Sequence, residues 1–401
     1  MKGDMGRKKA EEENVKKENI PENIVSTFSF LEDINKNYAA FKSKKVTIKV
    51  IDSGSPALND IMNIGGYPRG RVTHIYGPEG SGKSFLCMEA AKNCLRDDPN
   101  SFVVWFDAEH SFSYDWAQQM GIWSPDAKKN RMLVLPYTDG VDIFEAIYGK
   151  LVKQRMGGTK KTAPGILDKV IDGELNCPLI VIDSIASIIT PREKSSPVGS
   201  VTVSALAGFL TNELRRISEN VEKAKTSLIL INQVRESMEE WGDKYHHPGG
   251  QNLKHQMSIN VYMEKINRQE ALILADENDK NTLIGRKVNL TVKKSRFGPA
   301  PKTCTTTLLF SKGGEYNDIG VVNPELEILD IAVREGVVKK GGSWYTLPDG
   351  QRAQGLKGAQ ELLNNNNELL SSILKQIEER RGIFSRKGDS IIVEENINQN
   401  E

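Results

Sequence analysis

The chain has 401 residues, and its 54 Lys and Arg against 53 Asp and Glu give a formal net charge of +1 at pH 7. This length suffices for a sizeable core and more than one domain. The balanced charge excludes a general attraction to polyanions, so any nucleic-acid surface must be a local patch, and no apolar stretch approaches the roughly 20 residues that cross a bilayer.

The first fifty residues pass from a charged tail to regular structure. Residues 1–20 mix Lys and Glu with almost no large apolar side chain, which predicts a disordered tail without the apolar core of a signal peptide. We therefore expect a cytoplasmic protein with no membrane partner, and the four cysteines, which show no C-x-x-C spacing, are expected to be reduced. An amphipathic helix over 24–41 and the alternating strand VTIKVID over 46–52 form the next segment, residues 21–52.

From Arg71 onward, apolar strands alternate with helical stretches. Such a pattern is typical of a mostly parallel sheet with helices on both faces, and it predicts an α/β core over 53–318. The predicted helices cover 83–96, 141–156 and 204–225. The predicted strands are RVTHIYG, SFVVWFDAE, RMLVLPY, CPLIVIDS and TSLILINQ.

The pattern changes in the last third of the chain. The strands MSINVYMEKI, RKVNLTVKKSR and TTTLLFSKG follow one another without intervening helices, which predicts an antiparallel extension of the sheet. Helices and one hairpin, GGSWYTLPDGQ, then predict a small α+β C-terminal domain over 319–385. The polar residues 386–401 are expected to form a flexible tail.

A glycine-rich turn between the strand RVTHIY and a predicted helix fits the pattern G-x-x-x-x-G-K-[ST]. The glycines let backbone N–H groups face phosphates, Lys83 supplies a point charge, and the Ser84 hydroxyl suits Mg²⁺. The motif and its position predict binding of a nucleotide together with Mg²⁺. The residues of this phosphate loop are Gly77, Pro78, Glu79, Gly80, Ser81, Gly82, Lys83 and Ser84.

Carboxylates end two of the predicted strands. Asp183 follows the apolar run PLIVI, so it can reach a Mg²⁺ ion held by Ser84. Asp107 and Glu109 end the strand VVWFDAE on the same face, and either could orient and deprotonate an attacking water. Either could also cap the next helix, and the spacing does not choose between them.

A long stretch with little regular pattern follows the strand LILINQ, which ends in Gln233. Arg235, Met238 and Trp241 would suit stacking on single-stranded nucleic acid, with Gly249 and Gly250 as flexible points. Acidic residues outnumber basic ones there, which argues against DNA binding. Composition alone therefore leaves both alternatives open.

Basic residues end the strand RKVNLTVKKSR. Lys293, Lys294 and Arg296 are consistent with a solvated strand end or with a charge clamp for phosphates, including those bound by a neighbouring subunit.

Together these segments resemble the RecA recombinase family, from about Ile24 to about Arg381 and in the family's order. The resemblance implies a RecA-type ATPase core, an N-terminal assembly helix and a small C-terminal domain. The matching segments are SGSPALNDIMNIGGYPRGRVTHIYGPEGSGKS, FDAEHSFSYDWAQQMGI, VIDSIASIITP, LILINQVR, PGGQNLKH, KKSRFGPAP and GGSWYTLPDGQ.

The resemblance implies roles that spacing could not assign. Glu109, rather than Asp107, matches the glutamate that activates water, and Gln233 matches the glutamine that senses the γ-phosphate. Trp116 matches an aromatic residue against adenine. The basic pair Lys294 and Arg296 matches two lysines that reach the nucleotide of the adjacent subunit. The implied DNA-binding residues are Arg215, Arg216, Arg235, Met238, Trp241, Gly249, Gly250 and Lys254.

The implied function is homologous pairing and strand exchange in DNA repair and the SOS response. The partners would be single-stranded DNA, a homologous duplex, further copies of the chain in a helical filament, and loading or single-strand-binding proteins. Gly208 stands where the family carries an arginine, and the second DNA loop is unusually acidic, a divergence that would suit a phage or mobile-element protein. Two alternatives remain: a RecA-core helicase and a non-catalytic mediator that binds DNA.

Overall fold

The computed structural model describes residues 46–153, 159–197, 205–236, 245–246, 253, 255–276, 279–314, 316–381 and 391–393. The expected tail over 1–20 and the assembly helix over 24–41 lie outside these residues, as does the expected C-terminal tail apart from residues 391–393. The chain divides into two units: one contains residues 48–391, and the other contains residues 1–47 and 392–401. No described helix is both long enough and apolar enough to span a membrane.

The helices are α1 (Pro56–Ile61), α2 (Lys83–Asp97), α3 (Tyr114–Gln119), α4 (Gly140–Tyr148), α5 (Ile166–Ile171), α6 (Pro191–Ser195), α7 (Ala205–Ala224), α8 (Pro324–Arg334), α9 (Gly355–Asn364) and α10 (Asn367–Arg381). The strands are β1 (Val46–Ile48), β2 (Val50–Ile51), β3 (Tyr67–Pro68), β4 (Val72–Gly77), β5 (Val103–Asp107), β6 (Met132–Leu135), β7 (Lys150–Lys153), β8 (Thr159–Ala163), β9 (Leu179–Asp183), β10 (Ser227–Gln233), β11 (Arg235–Glu236), β12 (Tyr245–His246), β13 (Ile259–Lys265), β14 (Leu272–Asp276), β15 (Asp279–Ser295), β16 (Lys302–Leu309), β17 (Gly320–Val321), β18 (Lys339–Gly341), β19 (Trp344–Thr346), β20 (Arg352–Gln354) and β21 (Ile391–Val393).

One large sheet organises the core, with the strand order β17-β16-β15-β13-β4-β10-β9-β5-β6. The pairs from β13 to β6 are parallel, whereas β14, β15, β16 and β17 form antiparallel pairs at one side. The predicted α/β fold with a mostly parallel sheet is therefore confirmed. Such strands are buried on both faces, which explains their nearly continuous apolar sequences.

Two apolar layers cover the parallel strands. Alternate residues of β5, β9 and β10 pack against α4, α5 and α7 in one buried cluster. The intervening residues face α2, which contacts β4, β5, β9 and β10 from the other side. Helix α2 buries eleven of its fifteen residues, Lys83 among them, so the helix that follows the phosphate loop is fixed firmly to the sheet.

Two sequence predictions require correction. The helix predicted over 141–156 ends at Tyr148, because Gly149 adopts a positive φ of 95° and the chain then forms the β7–β8 hairpin. The strand MSINVYMEKI, expected in the antiparallel extension, is β13: it pairs antiparallel with β15, as expected, and it also runs parallel to β4. It does so because β10 ends at one edge of the sheet and β13 begins at the opposite edge, where Ser258 N donates to Val72 O.

The residues after Asn323 build a second apolar cluster from α8, the three-stranded sheet β18-β19-β20, α9 and α10. This segment contacts the core through Glu327, whose carboxylate accepts hydrogen bonds from Ser55 Oγ, Ala57 N and Thr306 Oγ1 at 2.6, 2.9 and 2.6 Å. The predicted hairpin GGSWYTLPDGQ is part of that three-stranded sheet. Strands β1 and β21 form a separate two-stranded sheet.

Candidate functional site

The carboxyl ends of four parallel strands bring the candidate site residues together. In the register of the sheet, Gly77 at the end of β4 pairs with Gln233 at the end of β10. Asp107 at the end of β5 pairs with Asp183 at the end of β9. This edge, where strands end and helices begin, is the usual ligand-binding edge of an open parallel sheet.

The phosphate loop joins β4 to α2 and depends on glycine at two positions. Gly80 and Gly82 have φ values of 64° and 95°, which favour glycine over any residue with a Cβ atom. Gly82 directly precedes the first residue of α2, so the unpaired N–H groups of that helix face the loop. A helix N-terminus reached through such a turn is an anion-binding site.

Lys83 is held inside this loop. Its Nζ donates hydrogen bonds to Gly77 O at 3.0 Å and Pro78 O at 2.8 Å, and the residue is buried. Burial lowers the pKa of Lys83, while the nearby carboxylates of Asp183 and Glu109 oppose that shift. A cation in this position can neutralise negative charge that enters the loop.

Asp183 and Ser84 fit the requirements of a Mg²⁺ site. Asp183 is buried, and among the described residues its Oδ1 atom has no hydrogen-bond partner. Burial raises the pKa of Asp183 to about 7, whereas the Ser84 hydroxyl lowers it. Within the described parts of the chain, no three His, Cys, Asp or Glu side chains form a metal-binding cluster. Mg²⁺ needs none, because it usually combines one or two protein ligands with water and phosphate.

Asp107 and Glu109 have different surroundings. Asp107 accepts hydrogen bonds from the N–H groups of Ser111 at 3.0 Å and Phe112 at 3.1 Å, so its carboxylate organises the turn after β5. Glu109 lies in the cavity and its Oε1 accepts a hydrogen bond from Gln233 Nε2 at 2.5 Å. Of these two carboxylates, Glu109 is the one available to a ligand.

A cavity of about 440 Å³ connects these groups. Trp116 lines it together with Phe85 and Phe310, and the three rings are mutually in contact, with centroid separations of 5.1 to 6.0 Å. Phe85 and Phe310 were not predicted from the sequence. The lining residues are Glu79, Gly80, Gly82, Lys83, Ser84, Phe85, Glu109, Ser111, Trp116, Asp183, Ile231, Gln233, Lys265, Leu283, Arg286 and Phe310.

Sequence reasoning also missed Lys265 and Arg286, which line the same cavity from β13 and β15. Lys265 is the last residue of β13, and the carboxyl end of a strand parallel to β4 lies at the edge of the phosphate loop. Because this strand was expected in the antiparallel extension and not beside β4, its last residue was not expected near the phosphate loop. Arg286 stands inside an alternating strand, where a basic residue is usually solvent-facing.

Lys294 and Arg296 do not line this cavity. Lys294 Nζ and Arg296 Nη2 both donate to the backbone carbonyl of His255, at 3.0 and 3.1 Å. Burial and the charge of Arg296 lower the pKa of Lys294 to about 8. The two cationic groups thus lie close together at one carbonyl oxygen, and an anion bound beside them would accept charge-assisted hydrogen bonds.

Five of the eight predicted DNA-binding residues lie outside the residues that the structure describes. Arg215 and Arg216 are exposed on α7, and Arg216 Nη1 pairs with Glu213 Oε1 at 2.9 Å. This ion pair neutralises part of the charge of Arg216. Glu213 also accepts a hydrogen bond from the Tyr148 hydroxyl. Arg235 begins β11, and its side chain is not described. Met238, Trp241, Gly249, Gly250 and Lys254 lie outside the described residues.

The sequence is similar to known proteins over most of its length. The family model for the RecA N-terminal domain matches residues 31–129 and 139–315, and that for the RecA C-terminal domain matches residues 326–382.

Three curated relatives named Protein RecA illustrate the similarity. The protein of Nocardioides sp. strain JS614 is 30% identical over 340 residues, which are 84% of this chain and 85% of the relative. The Streptomyces ambofaciens protein is 30% identical over 85% of this chain and 80% of its own length. The Enterococcus gallinarum protein is 28% identical over 90% of this chain and 93% of its own length. Among solved structures, the RadB recombinase aligns with a TM-score of 0.44 and 18% identity, covering 65% of this chain and 97% of its own.

Proposed function

The chain belongs to the RecA family of recombinases, and on that premise we propose that it is an ATP-dependent recombinase. It forms a filament on single-stranded DNA, pairs the bound strand with a homologous duplex and exchanges strands. The observation that carries the proposal is the convergence of Lys83, Glu109 and Gln233 in one cavity beside the phosphate loop.

Each of these residues has a role in ATP hydrolysis. Lys83 and the N–H groups of the loop bind the phosphates, and Ser84 and Asp183 would hold Mg²⁺, which neutralises charge on phosphate oxygens. Glu109 accepts the proton of the attacking water. Its hydrogen-bond partner Gln233 ends β10, directly before the segment assigned to DNA, so this residue couples the nucleotide site to DNA.

The proposed filament accounts for the two basic residues outside the cavity. Lys294 and Arg296 neutralise phosphates bound by the adjacent subunit, so hydrolysis requires assembly. Their shared contact with His255 O, away from the cavity of their own subunit, supports this role.

DNA binding depends on backbone contacts and stacked bases, because base pairing between strands reads the sequence. Arg215, exposed on α7, is the described basic residue best suited to a phosphate contact. Hydrolysis releases the DNA rather than driving the pairing.

One alternative retains a supporting observation. The pairing of Arg216 with Glu213 and the absence of a side chain at Gly208 reduce the positive charge of α7, which favours a mediator that binds DNA weakly and loads another recombinase. The match to the RecA C-terminal domain argues against a ring helicase.

ATP hydrolysis with and without poly(dT), at low salt with Mg²⁺, tests the proposal. Strong stimulation by poly(dT), abolished in Lys83→Ala, would support a DNA-dependent ATPase, and strand-exchange assays would follow. Hydrolysis at the same rate with and without poly(dT) would contradict the recombinase proposal, whereas binding of poly(dT) without any ATP hydrolysis would favour the mediator.

A further inference from the structure

Two basic side chains that the sequence analysis did not single out line the nucleotide cavity. Lys265 ends β13, Arg286 belongs to β15, and both line the cavity that contains Lys83 and Ser84. We infer that Lys265 and Arg286 contact the phosphates of the nucleotide bound by their own subunit. This inference rests on the proposed nucleotide binding and names further residues of that site.

The end of β13 lies directly against the phosphate loop. A Cβ atom built on Gly77 would lie 1.9 Å from Met263 O, so the two backbones are in close contact there. Two residues further on, Lys265 extends over the loop: a Cβ atom on Gly80 would lie 2.9 Å from Lys265 Nζ and 3.3 Å from its Cε. The ammonium group is therefore next to the backbone that turns its N–H groups toward phosphates.

Arg286 lies beside a residue of β16 that contacts the same loop. In the antiparallel register Arg286 pairs with Leu308, and paired residues of adjacent strands lie on the same face of a sheet. The Leu308 side chain lies against the loop, since a Cβ atom on Gly82 would be 2.8 Å from its Cδ1. The guanidinium consequently enters the cavity beside the loop rather than solvent.

Neither cation is paired within the part of the chain that the structure describes. Lys265 and Arg286 are half-buried, and among the residues that the structure describes neither has a hydrogen-bond or ion-pair partner. Lys83, in contrast, donates to two loop carbonyls. Partly desolvated cations without partners gain most from an anion, because charge-assisted hydrogen bonds are the stronger ones.

The chemical class of ligand follows from this geometry. A nucleoside polyphosphate in the loop would contact the N–H groups at the start of α2 and would lie beside Lys265 and Arg286, which line the same cavity. The aromatic contacts of Trp116 and Phe310 at the same cavity are uncharged and suit the base. Loss of the two cations should thus weaken binding of phosphates and leave binding of the base unchanged.

The test measures nucleotide affinity of the full chain with Mg²⁺ and without DNA, from displacement of a ribose-labelled fluorescent ADP. The variants are Lys265→Gln, Arg286→Gln and their combination. Each single change should weaken ATP and ADP about tenfold, the usual effect of losing one charged hydrogen bond, while adenosine binds equally. Lys265→Arg should restore most of the affinity.

Lys287→Gln is the matched control, because Lys287 is the exposed neighbour of Arg286 on the same strand. It should leave all affinities unchanged.

Three results would overturn the inference: wild-type ADP affinity in the folded double variant, an equal loss of adenosine and ADP affinity, or an equal effect of Lys287→Gln. If the wild-type chain bound no MgATP, or bound it as tightly after Lys83→Ala, the proposed nucleotide binding itself would fail, and this inference with it.

Discussion

At the level of single residues, the structure distinguishes two carboxylates that the sequence treats alike. Asp107 and Glu109 lie two residues apart at the end of β5. Backbone N–H groups engage the first, whereas Gln233 engages the second inside the cavity. The distinction depends on a turn and on β10, more than a hundred residues away, so no local pattern reveals it.

We expect Glu109→Gln to bind ATP normally and to hydrolyse it roughly 10²- to 10⁴-fold more slowly, because the amide cannot accept the proton of water. Single-turnover hydrolysis with poly(dT), together with nucleotide affinity, measures both effects. Glu79→Gln is the control, since Glu79 also lines the cavity but belongs to the loop. Wild-type turnover in Glu109→Gln would exclude Glu109 as the base.

The arginine pair of α7 gives a second comparison between neighbouring residues. Arg215→Ala should weaken binding to labelled oligo(dT) severalfold, because an exposed arginine is free to contact a phosphate. Arg216→Ala should weaken binding less and lower the free energy of unfolding by about 1 kcal/mol, since it removes the partner of buried Glu213. Fluorescence anisotropy and urea denaturation give the two quantities. A larger DNA effect from Arg216→Ala would contradict this assignment.

At the level of elements, close contact between β4 and β13 explains why the phosphate loop begins with glycine. Met263 O occupies the position that a Cβ atom at Gly77 would require. The G-x-x-x-x-G-K-[ST] pattern is usually interpreted through phosphate binding. Here the first glycine also permits a strand contact.

Gly77→Ala should therefore lower the free energy of unfolding by about 1–3 kcal/mol, the usual cost of overpacking, and should weaken nucleotide binding by displacing β13. Gly208→Ala is a matched control, because no atom lies within 4 Å of a Cβ at that helical position. It should stabilise the protein by about 0.5 kcal/mol through helix propensity. Equal stabilities of the two variants in urea denaturation would contradict this account.

Most elements could be predicted from sequence because the buried parallel strands are rich in apolar residues and the helices α2 and α7 are long, with 15 and 20 residues. The parallel strands β4, β5, β6, β9 and β10 all agree with predicted segments. The parallel pairing of β13 with β4 was not predictable, because an alternating apolar pattern does not show which strand will be the neighbour or in which direction the two will run. Lys265 was missed for the same reason, and Phe310 because its role arises from contacts with α2 and α3.

At the level of the whole molecule, one carboxylate joins the C-terminal segment to the core. Glu327 at the start of α8 is buried and accepts hydrogen bonds from Ser55, Ala57 and Thr306. Burial raises the pKa of Glu327 to about 7, although its hydrogen bonds lower it. Between the ordinary pKa of 4.5 and about 7, the folded protein therefore retains a proton that the unfolded chain has released.

Ionisation of Glu327 makes the stability of the folded protein depend on pH. Since the folded state binds more protons in this window, the contribution of Glu327 to the free energy of unfolding falls as pH rises, by on the order of 3 kcal/mol in total. Glu327→Gln resembles the protonated carboxyl group, with one acceptor oxygen and one donor group, but cannot ionise. The stability of wild type minus that of Glu327→Gln should decline from pH 4.5 to pH 7 in denaturant titrations. A constant difference would show that Glu327 is not protonated in the folded state.

The shared carbonyl of His255 has a consequence for how two ligands influence each other. His255 follows the chain segment that we propose binds DNA, and Lys294 Nζ and Arg296 Nη2 both donate hydrogen bonds to its carbonyl oxygen. If these cations turned to a phosphate on the next subunit, they would release that carbonyl, so the proposed nucleotide contact and the proposed DNA contact would be linked through it. Thermodynamic linkage is reciprocal, so any factor by which nucleotide strengthens DNA binding through this carbonyl must equal the factor by which DNA strengthens nucleotide binding.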